Sequence, residues 1–364
     1  MDPDTCQATY LLGLSQAHSL QEKSVAAKTL QQRHRNAREL ADWLQSTNLG
    51  RTLHNCLPED IMVYLTMHWL PAHAGTTTKT GHRLSAPGSL SAVKSSLSTE
   101  LEQLGRTGEW DASILKGNPM HSNQLRRMAK GYKSEAAAKG YEQRTAEPIY
   151  SGKIQVMLEF LMTKQQSMSG SDKLLLISDG LIISLLWQSC FRGFNVGELR
   201  LENIRTPTNS PAIPLITPNL LLQPHVQLHL HPDATKSRKG GYCTVTISGD
   251  LMCFTTWLQL AVSAYDAAQQ PITNHLVRPL QRGTQSFAEK GMTSSAIWAR
   301  FTAHLKTMGM YNGESVHSTR RGKMIECALV QQASIEQIQA TAMIKTKLVA
   351  ERYIDISRPT RGKQ

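Results

Sequence analysis

The 364-residue sequence has no long apolar run, and this excludes a bilayer-spanning helix at the outset. No stretch approaches the roughly 18 residues that crossing requires. The most apolar segment, 174–187, is broken by Ser178, Asp179 and Ser184. Cysteine is scarce, with six residues at 6, 56, 190, 243, 253 and 327. They form no C-x-x-C and have no histidine pair at zinc spacing beside them, so they read as reduced thiols, mostly in the core. Acids are also short. Lys and Arg total 40 against 28 Asp and Glu, and the resulting +12 calls for a counter-charge outside the protein. With no spanning segment to favour a membrane, nucleic acid is the better polyanion. There is no Walker loop and no acidic metal cluster, so neither cofactor nor metal is expected. The opening residues Met1, Asp2, Pro3 and Asp4 lack the basic start and apolar stretch of a secretion signal. An intracellular protein is expected, in the nucleus or, in a prokaryote, the nucleoid.

What is present reads as two domains behind a flexible N-terminus at 1–20. A helical DNA-binding domain is expected over 21–148 and a second domain over 149–364. Ser24 can cap a helix running to about Leu44 through Leu30, Leu40 and Trp43. Pro58, Glu59 and Asp60 open a second, whose Ile61, Met62, Leu65 and Trp69 precede the breaker Pro71. A loop is expected from Pro71 to Gly88. Leu90, Val93, Leu97, Leu101 and Leu104 mark a third helix, and a fourth spans roughly 121–132. On that fourth helix Leu125, Met128, Ala129 and Tyr132 share one side, while Arg126, Arg127, Lys130 and Lys133 crowd the other. A solvated basic face is the competing reading. The absence of acids from 119 to 134 favours DNA. A polar stretch from Ser134 to Pro148 then marks the boundary.

The second domain opens with helices at about 151–165 and 172–190, the latter apolar nearly all round. Val226, Leu228 and Leu230 alternate with Gln227, His229 and His231, and Cys243 to Ile247 supply a second strand, so a hairpin is expected. Helices follow at about 250–267, 293–308, 315–331, 334–342 and 346–354. The fold class is therefore mainly α with a small antiparallel sheet, an all-α first domain and an α+β second. His225, His229 and His231 share a strand face; a metal is one reading, and a polar or DNA-facing surface the favoured one.

Arg192 stands at a helix end in Cys190-Phe191-Arg192-Gly193, His317 lies three residues before Arg320, and Tyr353 follows 33 residues later in a terminal helix. Taken in order with a hairpin lysine, these residues resemble the catalytic series of tyrosine recombinases and phage integrases. The resemblance covers about 175–357. The N-terminal helices and Gly117-Asn118-Pro119 also resemble the core-binding domain of eukaryotic mobile-element recombinases of the Crypton and DIRS kind. The resemblance implies DNA cutting and rejoining through a 3′-phosphotyrosine, on double-stranded DNA with paired half-sites, by protomers that assemble into a tetrameric synapse.

The chemistry accounts for these residue types. Attack on a phosphodiester builds charge on its non-bridging oxygens, and guanidinium groups such as Arg192 and Arg320 match two oxygens without risk of deprotonation. A phenol, with an ordinary pKa of about 10, needs a base or a cationic field to become a nucleophile. His317, on the same helix face as Arg320, suits that role. The leaving 5′-oxygen needs a proton, which the resemblance assigns to Lys236, with Lys239 in reserve.

Each residue has a plainer reading: Arg192 paired to Glu198, His317 as a helix cap, Tyr353 as packing. Two positions depart from the family pattern. Asn195 stands where an acid is usual, and with Glu198 it fits a helix-capping pair. Ile344 stands where the family has a phosphate-supporting His or Trp, and an aliphatic side chain donates no hydrogen bond. The competing functions are a domesticated DNA-binding protein that no longer cuts, and a type IB topoisomerase or telomere resolvase.

Overall fold

Leucines at three- and four-residue spacing build the first core. A computed structural model of the protein describes residues 10, 12–13, 15–16, 27–142, 146–211, 226–232, 241–272, 274–281, 284 and 286–357. The chain divides into two compact units, 1–143 and 144–364. In the first, α1 (Ala27–Ser46) buries Leu40 and Leu44 in one cluster with α2 (Pro58–Val63) and with Leu90, Val93, Leu97 and Leu101 of α3 (Pro87–Gln103). The proposed cap Ser24 lies outside the described residues.

Pro71 does not end the second helix as the sequence predicts. Helix α2 widens into a π-helical stretch, Tyr64–Trp69, and continues through Leu70–Ala72. Proline has no N–H for the fourth residue back, and its ring needs space there. The ladder opens just ahead of it, with Leu70 N–H donating to the carbonyl of Leu65. The loop predicted between Pro71 and Gly88 contains a short antiparallel pair, β1 (Thr76–Thr77) and β2 (Arg83–Leu84), too brief to show alternation in sequence.

Helix α4 (Asn123–Ala138) begins where Ser122 Oγ accepts from Leu125 N at 3.3 Å. It runs six residues past its expected end, because Ala136, Ala137 and Ala138 favour helix over linker.

In the second unit, α5 (Ser151–Gln166) and α6 (Gly170–Ser189) are followed by the short α7 (Gly193–Gly197). Strands β3 (Ile204–Arg205), β4 (Gln227–Leu230) and β5 (Cys243–Thr246) form an antiparallel sheet in that order. Then come α8 (Phe254–Ala267), α9 (Ser294–Thr307), α10 (Val316–Leu329), α11 (Ile335–Thr341) and α12 (Lys347–Ile354). The sheet turns Leu228, Leu230, Cys243 and Val245 into the core. Strand β3, only two residues long, has no counterpart in the sequence reading.

Helix α6 is the axis of this unit, buried on nearly every side and packed between α5 and α8. Gly180 is required at its contact with α8: a Cβ there would lie 2.0 Å from Cε3 of Trp257. Among the described residues, no helix is long and apolar enough to cross a membrane.

One charge interrupts this apolar axis. Asp179 is 1% exposed and accepts from Arg300 Nη2 at 2.6 Å, from Arg300 Nε and from His304 Nε2 at 2.6 Å, which fastens α9 to α6. Removing the acid strands a cation facing the core. Asp179→Ala is expected to lower stability by about 3 kcal/mol in urea unfolding. A loss below about 1 kcal/mol, the range of an exposed pair, would show that the network is not structural.

Candidate active site

Cys190 ends α6 in the left-handed conformation, φ 54°, an unusual place for a residue with a Cβ. The chain then reverses through Phe191 into extended Arg192, which caps α7. A side chain from farther along the chain holds this turn: the Cys190 carbonyl accepts from Arg320 Nη1 at 2.5 Å.

Arg320 reaches that carbonyl from α10, whose start is fixed by a reciprocal cap. Ser315 Oγ accepts from His317 N at 3.2 Å, and Ser318 Oγ accepts from Ser315 N at 2.8 Å. His317 is thereby exposed on the first turn, and Arg320 is driven inward to 2% exposure. The second terminal nitrogen of Arg320, Nη2, donates to the carbonyl of Ala342 at 2.5 Å, at the end of α11. That helix closes with Met343 left-handed at φ 51° and Ile344 N donating back to Gln339 O at 2.8 Å.

The next helix, α12, lays the Tyr353 ring over the same guanidinium, 5.4 Å from its carbon to the ring centroid. Burial pulls the pKa of Arg320 below its ordinary value; the adjacent phenol of Tyr353 pushes it back up, and Arg192 pulls it down. Arg320 thus lies against Tyr353 and within the electrostatic reach of Arg192. A cavity of about 680 Å³ opens beside them, lined by His317, Tyr353, Arg321, Arg352, Trp298 and the start of α10 at Ser315 and Val316. The amino end of a 14-residue helix faces this space and adds positive potential.

The structure therefore brings together His317, Arg320 and Tyr353, with Arg192 near enough to Arg320 to act on its charge. Lys236 and Lys239 lie outside the described residues, as does His225. Asn195 does not form the capping pair expected with Glu198. Arg192 is the N-cap, Asn195 is buried inside α7, and Glu198 follows its last turn. Glu198 lies 3.7 Å from His275. Ile344 is 3% exposed in an apolar cluster with Cys190, Met324, Cys327, Ile338 and Ala350, and is absent from the cavity wall. Lys345 and Lys347 are exposed.

Sequence reasoning missed Trp298, Arg321 and Arg352 as cavity residues. The Arg320-Arg321 doublet was a signal for the second; nothing in the sequence marks Trp298. In the first unit, Arg126, Arg127, Lys130 and Lys133 are all exposed along α4, and Arg126 pairs with Glu109 at 2.5 Å. On the sheet, His229 and His231 flank Tyr242, with rings 4.2 and 5.1 Å from it. No group of three metal-ligating side chains occurs among the described residues.

No family model and no curated protein matches the sequence. Solved structures do match the fold. The XerH site-specific recombinase, in a post-cleavage complex with palindromic difH substrate, is 9% identical with a TM-score of 0.50, over 85% of this chain and 70% of that one. The Tn1549 transposon integrase, in complex with transposon right end DNA, is 13% identical with a TM-score of 0.50, over 93% of this chain and 92% of that one. The chain has the mainly α fold of the tyrosine recombinases.

The burial of Ile344 generates a prediction. An imidazole placed there enters an apolar cluster without a partner, so Ile344→His should cost about 2 kcal/mol of stability in urea unfolding. Undiminished stability of the variant would show that the side chain at 344 reaches solvent or a hydrogen-bonding partner.

Proposed function

We propose that the protein is a site-specific DNA recombinase or transposon integrase with Tyr353 as its nucleophile. The observation that carries this reading is the Tyr353 phenol held over the buried Arg320 guanidinium, beside a cavity that also exposes His317. Arg192 and Arg320 would grip the non-bridging oxygens of the scissile phosphate. His317 takes the phenolic proton as Tyr353 attacks phosphorus. The bond to the 5′-oxygen breaks, Lys236 protonates that oxygen, and a 3′-phosphotyrosine remains. Lys239 is the reserve for that proton. Rejoining runs the same steps in reverse with a 5′-hydroxyl as attacker, so no nucleotide or cofactor is consumed.

Arg126, Arg127, Lys130 and Lys133 would contact the DNA backbone, where cations position without reading sequence. The DNA complexes of XerH and the Tn1549 integrase support double-stranded DNA as partner. Protomers are proposed to pair on half-sites and to assemble into a tetramer, in the nucleus or nucleoid where that DNA lies. A second reading, binding without cutting, is favoured by one observation: the position that resembles the family's phosphate-supporting donor holds Ile344, buried away from the cavity.

The test uses a DNA site selected from a random duplex pool and nicked so that the cleaved fragment diffuses away. A covalent protein–DNA adduct should form, equally well in EDTA, and Tyr353→Phe should abolish it while binding persists. An undiminished adduct in Tyr353→Phe would mean another nucleophile; no adduct from wild type would favour the binding-only reading. Lys236→Ala should cleave slowly and recover on a 5′-bridging sulfur substrate, which leaves without an acid. Recovery in Lys239→Ala instead would move the role by three residues.

A further inference from the structure

Arg321 lines the same cavity as His317 and Tyr353, yet it is only 3% exposed. Its guanidinium bonds in two directions. Nη1 donates to the carbonyl of Ala146 at 2.9 Å, and Nη2 to the carbonyl of Asp355 at 2.9 Å. Ala146 belongs to the segment by which the chain enters the second unit. Asp355 immediately follows α12, two residues after Tyr353. One side chain of α10 therefore joins the entering segment to the end of the tyrosine helix.

The entering segment is fastened along α10 at further points. Ile149 N donates to Ser318 O at 3.1 Å. Gly322 has no Cβ where one would lie 1.6 Å from the Ile149 carbonyl oxygen, so the two backbones touch. Ser151 donates to Glu326 Oε1 from N at 2.6 Å and from Oγ at 2.9 Å. Lys153 Nζ pairs with the buried Glu314 just before the cap of α10. These ties run from one end of α10 to the other.

Helix α12 is held far less. It has eight residues, too few to be stable alone, and only Ala350 is fully buried. Lys347, Leu348, Glu351 and Arg352 are exposed. The bond from Arg321 to Asp355 anchors its carboxyl end.

We propose that Arg321 is a positioning residue: it fixes the end of α12, and with it the Tyr353 hydroxyl, to the segment that enters the second unit. Displacing that segment then displaces the nucleophile. The inference rests on the reading of Tyr353 as nucleophile. Arg321 acts through α12, because its bond to the Asp355 carbonyl holds the chain just beyond the tyrosine helix.

The test compares full-length wild type with Arg321→Met and Arg321→Lys on the selected DNA site. Single-turnover adduct formation should fall on the order of tenfold to a hundredfold, the scale of a displaced reacting group, with DNA affinity unchanged. Hydrogen exchange should quicken across 347–357 while 318–327 keeps its protection. Lys keeps the charge but reaches one carbonyl at a time, so it should be slowed as well, and it carries the test if Met fails to fold.

A methylphosphonate at the scissile position discriminates the roles. Removing the phosphate charge offsets the loss of a residue that touches it, and does nothing for a misplaced tyrosine. Rescue of Arg321→Met by methylphosphonate would overturn the proposal, and so would unchanged exchange across 347–357 or an unchanged adduct rate. If wild type itself forms no adduct, the nucleophile reading fails, and the exchange comparison still decides whether Arg321 anchors α12.

Discussion

The guanidinium of Arg320 sits where three chain segments converge. It ties the end of α6 at Cys190 to the end of α11 at Ala342, and it lies beneath the ring of Tyr353. Burying a guanidinium is tolerable only when its N–H groups find acceptors, and the two helix ends supply carbonyls that α-helical geometry leaves unpaired. The needs are complementary. The left-handed turn at Cys190, costing roughly 1–2 kcal/mol for a residue with a Cβ, is stabilised by the same bond and directs Arg192 toward the site. Arg320 is thus at once a core strut and a cation packed against the tyrosine.

This double role explains why the site is built on helix ends. The amino end of α10 presents His317 and a positive potential to the cavity, while the carboxyl ends of α6 and α11 are turned onto Arg320. An anion entering the cavity meets donors and cations; the opposing dipoles are neutralised from inside. The net charge of +12 extends that attraction beyond the cavity, as the proposed DNA partner requires.

Much of this was legible in the sequence. The helices of the second unit were visible because α5, α6 and α8 to α12 carry three- and four-residue apolar spacing or clear caps, such as Ser315 and Ser334. Strand β3 and the β1–β2 pair were not, because two residues cannot display a period of two. The π stretch was hidden since Pro71 reads as a stop, and only the observed ladder shows how the backbone passes it. Within the site, the order Arg192, His317, Arg320, Tyr353 pointed to one place because the residue types suit one reaction. The burial of Ile344 was not readable: a position counted back from the tyrosine says nothing of which way its side chain faces. Nor was Arg321, whose partners are main-chain carbonyls at Ala146 and Asp355 that leave no mark on the sequence.

The central claim is that Arg192, Arg320 and residue 353 surround one phosphate. The most direct measurement is a structure of Tyr353→Phe bound to its selected DNA site. The account predicts the scissile phosphate within about 3 Å of both guanidinium groups and beside the ring at 353. A phosphate held elsewhere, with Arg320 still spanning Cys190 and Ala342 and no DNA in the cavity, would contradict it.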